Sequence, residues 1–387
     1  MLKNYFLDEI ERGELELFRE SVRGFCEQSM APYYTDWEKA GLVPRDLFHQ
    51  LGAAGLLCVD VPEAYGGYGV PARFSFAIIE TMGYFGFTGF AGGLEVHSDI
   101  TPGYLLKFGS EMQKQYWLPR MVSGEVVTAI AMTEPNAGSD LKNIRTSARR
   151  DGDHYIINGS KIFISNGQHA DMIVVAAKTD VNAGARGISL FLVDATSAGF
   201  ARGTNLDKIG QKCADTSELF FSEMRVPADA LLGNENQGFV QMMQELPRER
   251  LIIAVLALGA AHGALAQTLV YVQEREAFGA RIAALQNTRF KLAELHTLLM
   301  ANAALVQHGI AAYERGELSA EAAAAIKLSA TEMQGRVTDE CLQLFGGYGY
   351  MTEYPISRAW VDARVQRIYG GTSEIMKEVI ARGLLPR

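Results

Sequence analysis

Apolar residues recur every three to four positions through the first third of the chain. Leu15, Phe18, Val22 and Phe25 fall on one helical face, and Leu47, Phe48, Leu51 and Leu56 repeat the pattern after a break at Pro44. Gly66-Gly67-Tyr68-Gly69 and Pro71 then predict a loop before helical spacing resumes. Between about 123 and 233 the texture changes to short β-rich runs, at 126–132, 155–157, 161–164, 172–177 and 187–193. Asp151-Gly152 and Asn158-Gly159 lie between them as hairpin-type turn signals. Strands without intervening helices predict a small antiparallel barrel or sandwich, not a parallel nucleotide-binding sheet. Beyond 237 the spacing is helical again and rich in Ala and Leu, predicting long helices over about 237–274, 284–314 and 319–344 and a shorter one after Thr372. The expected fold class is α+β: an N-terminal helical domain (1–122), a middle β-barrel or sandwich domain (123–233) and a C-terminal helical bundle (234–387).

Composition narrows the function. The 387 residues are 48% hydrophobic and 21% charged, ordinary for a globular chain of two or three domains. A net charge of -9 argues against nucleic-acid binding, which needs concentrated Lys and Arg. Four scattered cysteines form no CxxC pair, so free thiols in a reducing, cytoplasmic setting are expected. Seven histidines show no HxxxH spacing, and no metal site is expected. The acidic N-terminus resembles neither a secretory signal nor a transit peptide. Leu251–Leu269 is long enough to span a membrane, but His262 and Gln267 interrupt it, and a buried bundle helix is the expectation. His97, His262, Met242 and Met243 are read as core or helix-contact residues.

Candidate chemistry begins where the first β-run ends, at Met132-Thr-Glu-Pro-Asn-Ala-Gly-Ser-Asp140. This polar, turn-prone loop offers hydroxyls and free backbone N–H groups, which suit an anion or a planar heterocycle. By spacing alone it reads first as a surface turn. No GxGxxG fingerprint follows a strand, so composition implies no dinucleotide.

The loop resembles the TEPGAGSD signature of the acyl-CoA dehydrogenases, departing at Asn136. Phe163-Ile-Ser-Asn-Gly167, Arg275-Glu-Ala-Phe-Gly279 with Gln286, Gln343-Leu-Phe-Gly-Gly347 and Val365–Arg382 resemble further family segments in the family's order. The resemblance implies an FAD enzyme. Met132, Thr133, Gly138 and Ser139 from the loop, with Phe163, Ile164 and Ser165, would meet the flavin. Arg275 would pair with the pyrophosphate, and Phe278 and Gln286 would reach a neighbouring subunit's cofactor. Gln343, Leu344, Phe345, Gly346 and Gly347 would hold the adenosine end, and Thr372 and Glu374 would contact FAD again. A shared site implies a homo-oligomer, by resemblance a tetramer, with an electron-transfer flavoprotein as acceptor.

The implied reaction removes an α-proton from an acyl-CoA thioester as hydride leaves the β-carbon, giving a trans-2-enoyl-CoA. Most family members carry the base at the position of Gly370, which here has no carboxylate. Its backbone N–H can still polarise the thioester carbonyl. The long-chain and isovaleryl branches resemble this chain in placing the base at Glu249, within Glu245-Leu-Pro-Arg-Glu-Arg250. Pro247 would fix where Glu249 points, and an apolar cleft would raise its proton affinity. Glu245 is the rival base, and a solvated Glu249 paired with Arg248 or Arg250 is the reading without chemistry. Ser139, Leu246, Arg250, Tyr369, Gly370 and Gly371 are expected along the substrate, with Gly92 and Gly93 opening a cavity for a medium-to-long or methyl-branched acyl group. Val240 departs from the aromatic of the long-chain branch. An acyl-CoA oxidase using O2 and a non-catalytic flavin- or CoA-binding scaffold stand as alternatives.

Overall fold

The computed structural model of the protein describes residues 9–385. Helices α1 (Glu9–Phe25), α2 (Tyr34–Ala40), α3 (Asp46–Ala53), α4 (Ala72–Tyr84), α5 (Thr88–Glu95), α6 (Thr101–Phe108) and α7 (Glu111–Val122) come first. Strands follow: β1 (Thr128–Ala131), β2 (Ser147–Asp151), β3 (His154–Ser165), β4 (Met172–Lys178), β5 (Ile188–Asp194), β6 (Phe200–Asn205), β7 (Thr216–Pro227) and β8 (Leu231–Leu232). The chain then forms α8 (Gly238–Glu274), a hairpin of β9 (Glu276–Ala277) and β10 (Ala280–Arg281), α9 (Gln286–Glu314), α10 (Ala320–Phe345), α11 (Pro355–Gln366) and α12 (Ser373–Leu384). The helical, β, helical order expected from periodicity is present.

Local chemistry accounts for the elements. Leu15 and Val22 of α1 are buried, with Phe18 and Phe25 packed beside them, as the helical period requires. Ser110 opens α7 with a capping box, exchanging hydrogen bonds with Gln113. A π-helical turn at Val96–Ile100 joins α5 to α6, a distortion that often marks functional sites.

The eight-stranded sheet runs β6-β7-β3-β2-β4-β5-β8, with β1 added parallel to β4. Its pairings are otherwise antiparallel, apart from one parallel bridge between Ser147 and Lys178. Asp151-Gly152 turns β2 into β3 as expected, Asp151 pairing with His154. Asn158-Gly159 does not turn. It lies inside β3, where the register slips between Ile157 and Gly159. Gly159 (φ +151°) sits so close to Thr146 that a Cβ would fall 2.4 Å from its Oγ1, so the dipeptide serves a bulge. The expected 155–157 and 161–164 runs are therefore one strand.

Strand β4 shows why its sequence reads as unbroken apolar. Met172, Val174 and Ala176 face the core shared with both sets of helices, while Ile173, Val175 and Ala177 face the strand-lined interior. The N-terminal helices and the C-terminal bundle thus meet in one continuous core against the sheet. The apolar run of α8 is mostly buried within it, which fits a bundle helix. His97 is fully buried, and burial lowers its imidazole to about 4. His262 is half-buried against Tyr84. Met242 is core, but Met243 is exposed, correcting its assignment: neighbours on a helix point about 100° apart. All four cysteines are buried free thiols.

Candidate active site

Two groups of residues carry the expected chemistry, one at the sheet and one on the helices. At the sheet, the Met132–Asp140 loop is pinned from below. Glu134 and Ala137 exchange backbone hydrogen bonds of 3.0 Å, closing a tight turn. The buried Lys161 of β3 donates to the Met132 carbonyl and to Glu134 Oε1, each at 2.9 Å. Glu134 also accepts the backbone N–H groups of Arg145 and Thr146. Burial pushes the Lys161 ammonium down to about 8, against the pull of Glu134. Burial raises the Glu134 carboxyl, but Lys161 and the hydrogen bonds outweigh it, and the net shift is downward.

Above this anchor the expected cofactor residues present themselves. The Thr133 carbonyl accepts from Ile162 N–H at 3.0 Å, tying the loop to β3. Phe163 adopts φ +61°, unusual for a bulky residue, and its ring is 64% exposed. Thr133 and Ser165 are half-exposed, and Gly138 and Ser139 are open to solvent. An exposed ring flanked by hydroxyls fits a planar heterocycle. Ile164 departs from this picture, because its side chain belongs to the strand-lined core and only its backbone is available.

Asn166 joins the sheet to the helices. Its Nδ2 donates to the carbonyls of Gly93 (2.8 Å) and Thr128 (2.9 Å). A Cβ at Gly93 would lie 2.5 Å from Asn166 Oδ1, so this glycine serves that contact. A Cβ at Gly92 would meet nothing within 4 Å. The expectation that both glycines open a cavity therefore rests on Gly92.

On the helices, Glu249 is 8% exposed and accepts a 2.9 Å hydrogen bond at Oε1 from the hydroxyl of buried Tyr104. Burial raises its carboxyl to about 7; Glu245 adds to the rise, while Tyr104 and Arg250 oppose it. Arg248 is not its partner. Its guanidinium holds Asp60 (2.6 Å), Asp99 (3.0 Å) and the Tyr313 hydroxyl (2.9 Å). Arg250 is itself buried, and that desolvation lowers its basicity while Glu249 raises it. The solvated surface pair does not describe this site. Glu245, one turn earlier, is paired with Lys107 at 3.0 Å.

The 369–371 turn closes over the same helix. Gly370 has φ +62°, and a Cβ there would fall 2.3 Å from Ile253 Cδ1. Ile253 lies four residues after Glu249, on the same face of α8. Buried Lys327 of α10 donates to the Gly371 carbonyl at 2.8 Å and fixes the turn. Burial, then the nearby Arg250, lowers its ammonium to about 8. Tyr369 donates to Gln366 (2.9 Å), and Leu246 is half-buried beside Pro247.

The remaining expected residues gather elsewhere. Arg275 lies 5.5 Å over the ring of Tyr348, and the β9–β10 hairpin turns at Phe278 (φ +55°) and Gly279 (φ +77°). Both positive angles match the type I′ turn of tight hairpins and leave Phe278 97% exposed. Gln286, Gln343, Gly346 and Gly347 are exposed and Leu344 is half-buried, whereas the Phe345 ring is buried and stacked on Tyr271 at 4.0 Å. The Phe345 side chain thus packs the helix end. Thr372 caps α12 by accepting from Ile375 N–H, with Glu374 exposed in the first turn.

Sequence reasoning missed Tyr104, Lys161, Asn166, Ile253 and Lys327. Lys327 left a signal, since it falls on the helical stripe of Ala323, Ala330 and Gln334. A lysine in a buried stripe must be paired or functional. Tyr104 left none, because an apolar stripe accommodates a tyrosine.

A chain of this order, with a loop built for a planar ring and a buried carboxylate beside a glycine turn, has the makings of a cofactor-dependent enzyme. Comparison with known proteins narrows the class. Family models for the N-terminal, middle and C-terminal domains of acyl-CoA dehydrogenase match residues 12–125, 129–224 and 236–385. The pig (Sus scrofa) mitochondrial long-chain specific acyl-CoA dehydrogenase is 47% identical over 375 residues, 96% of this chain and 87% of that protein. The crystal structure of a Geobacillus kaustophilus acyl-CoA dehydrogenase superposes with a TM-score of 0.94 at 45% identity, covering 98% of this chain and 99% of that one. A Mycobacterium smegmatis glutaryl-CoA dehydrogenase in complex with FADH2 gives 0.92 at 30% identity, covering 98% and 96%. The chain belongs to the acyl-CoA dehydrogenase family, and it is an FAD-dependent oxidoreductase that dehydrogenates an acyl-CoA.

Proposed function

We propose that the protein dehydrogenates a medium-to-long or methyl-branched acyl-CoA at its α,β bond, with Glu249 as the base. The observation that carries this reading is the place of Ile253. It fills the space that a side chain at Gly370 would need, one turn from a buried Glu249 whose carboxyl burial raises to about 7. A base near neutrality is poised to take a proton at working pH. In the apolar cleft, Glu249 abstracts the α-proton while the Gly370 N–H, held by the Lys327–Gly371 contact, polarises the thioester carbonyl. Ser139 and Leu246 border the thioester chain, and open space at Gly92 receives the acyl tail.

FAD, when bound, supplies the acceptor for the β-hydride. Thr133, Ser165 and Phe163 would hold its ring. Arg275 and Phe278, presented on an exposed hairpin, would reach a second subunit's cofactor, so the working form is a homo-oligomer, a tetramer by family likeness. An electron-transfer flavoprotein is the natural acceptor. Domain limits near 122 and 233 and a reducing compartment such as the cytoplasm complete the reading; four free thiols suit the latter.

A chain-length and branching screen on wild type, Glu249→Gln and Glu245→Gln tests the assignment. Glu249→Gln should keep its yellow colour yet lose bleaching by acyl-CoA, a fall of roughly 10²–10⁴ in rate. Glu245→Gln should still bleach. The reverse pattern sinks the base assignment, and rapid peroxide production in air would favour an oxidase.

A further inference from the structure

Helix α6 runs beside the stretch of α8 that carries both candidate carboxylates and meets each with a different group. Tyr104 donates to Glu249 Oε1 at 2.9 Å. Lys107, three residues on, pairs with Glu245 at 3.0 Å. A step of three along α6 therefore matches a step of four back along α8, so the two contacts form adjacent rungs. Gly103 permits the approach, since a Cβ there would lie 2.9 Å from Glu245 Oε2.

We propose that α6 is the positioning element for the base. Tyr104 grips one oxygen of Glu249 and leaves the other to take the substrate proton, and Lys107 cancels the charge of Glu245. This rests on Glu249 being the base.

The physical argument has two parts. The Tyr104 ring is fully buried, so its hydroxyl has little rotational freedom, and its bond engages Oε1 while leaving Oε2 outside it. A carboxylate fixed by one oxygen approaches the α-carbon in one orientation, which is where positional precision enters the rate. Electrostatics is the second part. The groups acting on Glu249 are Glu245 and Arg250 on α8 itself and the neutral Tyr104 phenol from α6; Lys107 of α6 pairs with Glu245, and Lys327 of α10 lies beside Arg250. A phenol donating to the carboxylate favours its charged form, and Glu245 disfavours it. Removing either α6 partner therefore makes Glu249 harder to ionise. Tyr104 neither gains nor loses a proton in the cycle. The two rungs also give the carboxylates different partners: Glu249 meets a neutral phenol, and Glu245 is tied to a half-exposed lysine.

The experiment is the pH profile of kcat/KM for the FAD-loaded enzyme with Tyr104→Phe and Lys107→Met. Tyr104→Phe keeps the buried ring. It should lower kcat roughly tenfold with KM little changed and move the acid limb upward by about one pH unit, the worth of one hydrogen bond to a charged group. Lys107→Met, at a half-exposed site, should move the acid limb in the same direction by a smaller amount. A Tyr104→Phe profile superimposed on wild type overturns the role of Tyr104, and an unmoved Lys107→Met profile overturns that of Lys107. Glu249→Gln separates this from the base assignment itself. If that variant still bleaches, the base is elsewhere; if it is dead while both profiles stay fixed, only the positioning inference fails.

Discussion

Glu134 and Glu249 are both buried carboxylates, and they titrate in opposite directions. Glu134, under the β-loop, is surrounded by Lys161 and two backbone N–H groups, which overcome the effect of burial and hold it below the usual range. Glu249, on α8, has burial and Glu245 pushing it up to about 7, with Tyr104 and Arg250 as the opposing influences. Burial is nearly equal, 4% and 8% exposure. The partners decide the outcome. A carboxylate with a full set of donors is scaffold, and one left short of them can move protons.

Lys161→Met should break this contrast most severely. It leaves Glu134 buried without its cation, at a cost of about 3–5 kcal/mol, read as a lowered denaturation midpoint with early flavin loss. Gly370→Ala comes next, combining a left-handed backbone angle with contact on Ile253. About 1–2 kcal/mol of stability should be lost, less if Ile253 is also trimmed to Ala.

The smallest effect should run the other way. Glu249 is held with a raised carboxyl, so between the ordinary carboxylate range and about pH 7 the folded protein keeps a proton that the unfolded chain has released. Its contribution to stability therefore falls as pH rises through that window, whereas the Glu134 contribution is lost only as pH falls through its lowered folded value. Glu249→Gln should unfold at a slightly higher temperature than wild type at pH 8 while being inactive. A lower melting temperature at that pH would show that Glu249 is scaffold after all.

Much of the fold was legible because periodicity is local. The long helices began and ended within a few residues of expectation, and the Asp151-Gly152 turn fell where the dipeptide stood. Asn158-Gly159 misled, since a bulge and a turn use the same backbone freedom and only the pairing of β3 with β7 distinguishes them. Strand β7 went unseen because its alternation slips at Glu223, which has φ +47°.

The order of helical and β segments, the family motifs and the glycine at position 370 can all be read along the chain alone. Those are properties of neighbours along the chain. The surroundings of Glu249 come from the packing of helices, which no stretch of neighbouring residues spells out. Tyr104 of α6 meets Glu249, Lys107 meets Glu245, Ile253 of α8 lies against Gly370 and Lys327 of α10 holds Gly371, and proton affinity depends on distance and dielectric in space rather than on order in sequence.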